Sequence, residues 1–189
     1  TGFIWVSGTA GSMDMRQIME HARAHSATIS PWPFIILFTG FAFKAGFVPL
    51  HTWLPWAHPA APAHVSGVMS GVIIKMGIFG IFRVLPLCQG NVLAMGRLIL
   101  ILSTATALYG VMVAIVQHNL KRLLAYHSIE NIGIIGMGLG LGLMGTGMGN
   151  GTVAMAGYCG ALLHTLNHRS SNRCSSTPPV RYTARPTRS

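Results

Sequence analysis

The chain is 189 residues long, 51% hydrophobic and only 8% charged, with a mean hydropathy of +0.52. Soluble domains carry about 25% charged residues, so this composition excludes an ordinary soluble fold and points to a membrane protein. Net charge is +10, yet five of the ten arginines lie after His168, so the surplus does not by itself argue for nucleic acid, and three widely spaced cysteines without a CxxC indicate neither a disulfide framework nor a zinc site.

Residues 1–30 are mixed in polarity and carry Asp14, Arg16, Glu20 and Arg23. They read as an extramembrane loop with a short surface helix near "DMRQIMEHARAH". The opening "TGFIWVSGTAGSMDM" lacks the charged-then-apolar pattern of a signal peptide, so membrane insertion is expected to rely on internal segments. A spanning helix needs about 20 mainly apolar residues. Five stretches approach that: Pro33–Leu50, His64–Leu87, Val92–Gln117, Ala125–Met144 and Gly151–His168, the last diluted by Gly, His and Asn. None alternates with period two, which argues against strands, and backbone in lipid must satisfy its own hydrogen bonds. The expected fold is an all-α membrane protein with about five transmembrane helices.

Within the first segment, Pro49 supplies no N–H and clashes with the preceding turn, so a break is expected near Pro49, with "PLHTWLPW" turning out of the helix. The adjoining "HPAAPAH" reads as a structured loop, and Trp53 and Trp56 suit a membrane interface. Glycines in "GIIGMGLGLGLMGTGMG" read as sites of close helix packing rather than as a phosphate loop. Arg16, Arg23, Arg83 and Arg97 fall on one side of this plan and Lys121 and Arg122 on the other, which leaves the orientation open. Residues 169–189, rich in Ser, Pro, Thr and Arg, are expected to form a disordered basic tail.

Lys44 and Lys75 stand out because each lies inside an apolar segment. A charged lysine at the bilayer centre is unfavourable by about 3 to more than 10 kcal/mol. A desolvated amine can release and regain a proton near neutral pH, so the pair reads as part of a proton relay; the alternative is a lysine tied to backbone carbonyls between helices. Glu130 is the only acid after Glu20 and reads either as a relay group or as an ion-pair partner of Lys121 or Arg122. His51, His64, His127 and His164 lie at or inside helical segments and titrate near neutrality, whereas His58 and His118 read as loop residues. His164 and His168 share a helix face, but a third ligand is lacking and zinc is not indicated. The sequence has no nucleophile elbow, P-loop, dinucleotide fingerprint or haem or iron–sulfur cysteine pattern. No metal or cofactor is expected, and redox chemistry is not assigned to this chain.

Two long stretches, "FAFKAGFVPLHTWLPWAHPAAPAHVSGVMSGVIIKMGIFGIFRVL" and "HNLKRLLAYHSIENIGIIGMG", resemble the antiporter-like, proton-translocating membrane subunits of respiratory complex I, multisubunit cation/proton antiporters and membrane-bound nickel–iron hydrogenases. The "LPWAHPAAPAHVSGVMSGVIIKMGIFG" stretch, with "SIENIG", is similar to the large membrane subunit of hydrogenase-4 and formate hydrogenlyase. The resemblance covers most of residues 32–168. It implies that Lys44 is the lysine of a broken helix, that Lys75 is that of the next helix, and that His51, Lys121 and His164 lie along or near the proton path. It further implies an inner-membrane location, no metal cluster in this subunit, and partner subunits, membrane and peripheral, that perform electron transfer. Nucleic acid is not an expected partner.

The family's domain begins several helices earlier, so residues 31–168 are expected to be part of a longer proton-translocating domain. After "LLHTLNH" the family continues "ALFKSLLF", where this chain reads "RSSNRCSSTPPVRYTARPTRS". Restoring one base in a back-translation yields "ALFKSLLFHSAGAVYRATHT", so the tail is expected to be a frameshift product. The leading function is proton translocation coupled to redox chemistry in partner subunits; the alternatives are an antiporter subunit without a redox partner and an inactive truncated product.

Overall fold

A computed structural model describes residues 2–24, 32–87 and 91–175. These residues fold entirely as helices and connecting turns. In order they are α1 (Gly2–Ala10), α2 (Met15–Ala24), α3 (Trp32–Ala45), α4 (Leu54–Ala60), α5 (Ala63–Val68), a π-helical stretch (Met69–Ile73), α6 (Ile74–Val84) ending in a 3₁₀ turn (Leu85–Leu87), α7 (Val92–Ile115), α8 (Leu120–Gly147) and α9 (Gly151–Ser175). Three helical spans are long and apolar enough to cross a membrane: Val65–Leu87, Val92–Ile115 and Lys121–Gly147. The shorter apolar α3 is a fourth candidate. Helix α9 has 25 residues, ample length, but its polar residues keep it below the apolarity of the other three.

The first expected segment is two pieces. At 1.5 Å per residue, the 14 residues of α3 extend about 21 Å, short of a hydrocarbon core of about 30 Å. The helix stops at Ala45, not at Pro49, because Gly46 adopts φ +92°, a left-handed conformation that ends a helix and suits glycine. Residues 46–53 then run without regular structure, and the Val48–Pro49 peptide is cis. The broken ends find partners. The amides of Gly46 and Phe47 both donate to Ala42 O, at 2.8 and 3.0 Å. Val48 N donates to Thr106 Oγ1 of α7 at 3.2 Å, and the Trp53 indole donates to Phe43 O at 2.9 Å. Trp53, expected at an interface, thereby closes an open helix end.

Helix α8 is the centre of the bundle, flanked by α7 and α9 and touched by α4; α3 packs on α6, and α1 on α3. Glycines make the close approaches. A Cβ added at Gly110 of α7 would sit 2.6 Å from Glu130 N, and one at Gly140 of α8 would sit 2.8 Å from Leu100 N. Gly133 against Ala107 and Gly157 against Gly142 are tighter still. The glycine-rich run is thus a packing surface, as its sequence implied. Phe47, from the break, is fully buried and lies under Gly136 of α8 beside Ser103 of α7.

One expectation changes at the amino-terminal side. The opening residues form the apolar helix α1, laid on α3 through the Phe3–Phe41 edge contact at 6.3 Å, rather than a loop. The surface helix near residue 15 exists as α2, with Ile18 and Ala22 buried on one face. Helix α9 continues to Ser175, past the expected end at His168; residues 176–189 lie outside the described residues.

Candidate functional site

Lys44 lies in the last turn of α3, not in the middle of a helix, because the chain breaks two residues later. A cation there faces the unpaired carbonyls of the helix end, an electrostatically favourable position. Its side chain is exposed on the bundle surface, at the rim of a hollow of about 380 Å³ shared with Phe3, Leu37, Gly40 and Phe41. Lys75 is different. Its ammonium nitrogen is buried inside the bundle, on the first turn of α6 directly after the π-helical stretch. A π turn widens the helix and rotates the next turn about its axis, and such turns occur often at functional sites. The same stretch presents Ser70, whose hydroxyl meets Ser128 Oγ of α8 at 3.0 Å in the buried interior.

Around Lys75, three helices bring titratable groups together. On α8, His127 Nδ1–H donates to Glu130 Oε2 at 2.6 Å. Glu130 therefore pairs with His127 one turn back, not with Lys121 or Arg122. Asn131, next on α8, donates through Nδ2 to His127 O at 2.7 Å and accepts from His164 Nε2–H of α9 at 2.9 Å. His168, one turn further along α9, is buried and within electrostatic range of Lys75, His164 and His127; His164 in turn is within range of Glu130. The cluster thus holds one carboxylate, three imidazoles and one amine, joined partly through an amide. Groups of this kind can pass a proton between neighbours. Asn131 and the Ser70–Ser128 pair had no place in the reading of the sequence. A polar residue four positions after His127 in an apolar helix was the available signal for Asn131.

His51 lies in the break after α3, separate from this cluster by the contacts it makes. It is buried, with its ring edge-on to Tyr109 of α7 at 4.7 Å between centroids, and Tyr109 stands 6.3 Å from Tyr126 of α8. These rings line a cavity of about 220 Å³ together with Thr52, Trp56 and Arg122. Arg122 lies 5.3 Å from the centre of the Trp56 ring, a cation–π contact.

Lys121 occupies the first turn of α8 and is exposed; its ammonium donates to Pro59 O at 3.3 Å and Ala61 O at 3.1 Å, carbonyls at the end of α4. It acts structurally as a clasp between α8 and α4. His58, read from the sequence as a loop residue, is a buried residue of α4 hydrogen bonded through Nδ1 to Ser66 Oγ at 2.6 Å. Burial pushes its imidazole below the ordinary value of 6.5. His64 lies in α5, His118 in the α7–α8 turn. Among the described residues no three His, Cys, Asp or Glu side chains converge as metal ligands.

The helices that carry these groups match known membrane proteins. A family profile described as NADH:quinone oxidoreductase/Mrp antiporter, transmembrane, matches residues 1–175. Hydrogenase-4 component B of Escherichia coli K12 is 40% identical over 169 residues, covering 88% of this chain and 25% of that protein. Formate hydrogenlyase subunit 3 of the same organism is 43% identical over 130 residues, covering 68% of this chain and 21% of its own length. The chain therefore spans about a quarter of these relatives. Among solved structures, a chain of the Mrp complex from Dietzia sp. DQ12-45-1b superposes with a TM-score of 0.72 at 23% identity, over 93% of this chain and 31% of that one, a likeness of fold.

Proposed function

Because this chain belongs to the NADH:quinone oxidoreductase/Mrp antiporter transmembrane family, we propose that it carries part of a proton path whose inner station is Lys75. The observation that supports this most is the burial of the Lys75 ammonium nitrogen inside the bundle, within electrostatic range of His168 of α9, which in turn lies within range of His164 and His127. A structural lysine needs one fixed acceptor. A carrier needs neighbours that also gain and lose protons, and the α8–α9 interface supplies them. Asn131 orients the His164 ring, and protons pass between His164 and Glu130 of the His127–Glu130 pair; Lys44 and His51 serve the broken-helix end. Lys121, bonded to the end of α4, holds the frame in which these groups sit.

In this reading the chain is part of a larger inner-membrane subunit that works beside redox subunits of a hydrogenase or complex I-like assembly. Charge moved by the partners shifts the protonation of Lys75 and its neighbours, and the protons displaced cross the bilayer. The two curated relatives, a hydrogenase-4 component and a formate hydrogenlyase subunit, favour the redox-coupled form over an antiporter that acts alone. Vesicles containing the full-length subunit and its partners test the choice. Proton uptake that follows electron-donor turnover, and fails to follow an imposed sodium gradient alone, is expected; uptake driven by the sodium gradient without turnover would favour the antiporter.

A further inference from the structure

The cavity beside His51 is lined by other residues than the cluster at Lys75. It is bounded by the break after α3, the start of α4, the later part of α7 and the first turns of α8. Lys121 and Arg122 begin the span of α8, and Lys121 is bonded to the end of α4, so this end of the bundle meets the headgroup layer. Trp56, 71% exposed, is the kind of ring that settles at that level.

The lining offers a guanidinium, two phenol hydroxyls and the hydroxyl of Thr52, and among the described residues it contains no carboxylate. Arg122 and Tyr126 stand four residues apart on α8 and so share a helix face. The Arg122 guanidinium is steadied over Trp56, which leaves its planar fork of N–H donors suited to two oxygens of one tetrahedral anion. A cavity of about 220 Å³ has room for a phosphate group together with water or the adjoining headgroup atoms. Basic pockets between membrane helices at headgroup depth are recognised by anionic lipids.

We propose that this cavity binds a phosphate group, presented by an anionic phospholipid of the adjoining leaflet, with Arg122 as the charged anchor and the Tyr126 and Thr52 hydroxyls as further donors. With no carboxylate among the described lining residues, the Arg122 cation favours a lipid of net negative charge over a zwitterionic one. Occupancy fastens the break, α4, α7 and α8 to one another through a single headgroup. The proposal does not depend on proton transfer at Lys75.

The test uses the full chain purified in detergent, with lipid retention followed by native mass spectrometry. Dioctanoyl phosphatidylglycerol, dioctanoyl phosphatidylcholine and inorganic phosphate are titrated separately. The expected result is retention of phosphatidylglycerol at roughly tenfold lower concentration than phosphatidylcholine, with a tenfold or greater loss in Arg122→Gln and no change in helical content. Tyr126→Phe, which deletes one hydroxyl and keeps the ring, is expected to weaken retention several-fold and serves if Arg122→Gln fails to fold. Equal retention by the wild type and both variants would overturn the site. Binding of inorganic phosphate as tight as that of phosphatidylglycerol would keep the phosphate chemistry and overturn the lipid as its source.

Discussion

Lys44 and Lys75 show how far two residues of one type can diverge in setting. Both are lysines in apolar surroundings, but one ends a helix with its side chain on the bundle surface, while the other buries its nitrogen inside the bundle. An exposed cation on a membrane helix is tolerable only with a further covering group or water, so Lys44 belongs where another element meets α3. Replacing Lys44 with Met in the full-length subunit is expected to slow coupled proton uptake while leaving the packing of this bundle untouched, as read by thermal melting. Asn131 makes two hydrogen bonds, to the backbone carbonyl of His127 and from the His164 ring. Asn131→Leu leaves the His164 ring without its acceptor, and proton uptake is expected to fall by about tenfold or more, the scale seen when the group orienting a functional histidine is removed. An unchanged rate in that variant would remove Asn131 from the path. His58 supplies a pH dependence outside the spans. Its imidazole is held below 6.5 by burial, so the unfolded chain binds the proton more readily; the stability it shapes is complete above 6.5 and declines as pH falls below it. Protection of the α4 amides, taken relative to their intrinsic exchange rate, is expected to fall as pH drops below 6.5 in the wild type and to change less in His58→Gln.

At the scale of elements, the sequence carried the helices well and their ends poorly. Long apolar runs located α3, α7, α8 and the α5–α6 span because burial in lipid imposes length and continuity on a helix. The break was legible as an event, but its position depended on a glycine. Pro49 advertised itself, yet Gly46, in a left-handed conformation, ends α3 first. The π-helical stretch before Lys75 left no mark in composition; it holds Ser70, whose hydroxyl meets Ser128 of another helix. Hydrogen bonds between distant segments, such as Val48 N to Thr106 Oγ1, are likewise invisible to periodicity. Thr106→Val removes that acceptor and is expected to cost about 1–3 kcal/mol at the break, the penalty for a buried backbone N–H left unpaired. The glycine run carries a stronger test. Gly133 faces the backbone of Ala107 too closely for a Cβ, so Gly133→Val is expected to separate α7 from α8 and destabilise the bundle by more than about 2 kcal/mol. The same change at Gly160, with open space around its Cβ position, is expected to be nearly silent.

For the molecule as a whole, membership of the family and the composition agree on a protein of the bilayer. Alkaline carbonate washing is expected to leave the chain in the membrane fraction, and its release would contradict the spans. The candidate cluster was legible in part: Lys75, His164 and Glu130 were marked by charge or titration inside apolar runs. Their assembly across α6, α8 and α9 depended on which helix faces meet, which one sequence does not state. The origin of residues 169–189 in a shifted reading frame stays a proposal, answered by the gene sequence: an alternate frame reading "ALFKSLLF" supports it, and its absence defeats it. The central claim, that the buried amine of Lys75 exchanges protons with its neighbours, meets its most direct measurement in proton uptake by vesicles holding the full-length subunit and its partners with Lys75→Met. The account predicts that uptake is lost while assembly and partner turnover of the electron donor persist. Uptake equal to that of the unaltered complex would contradict it.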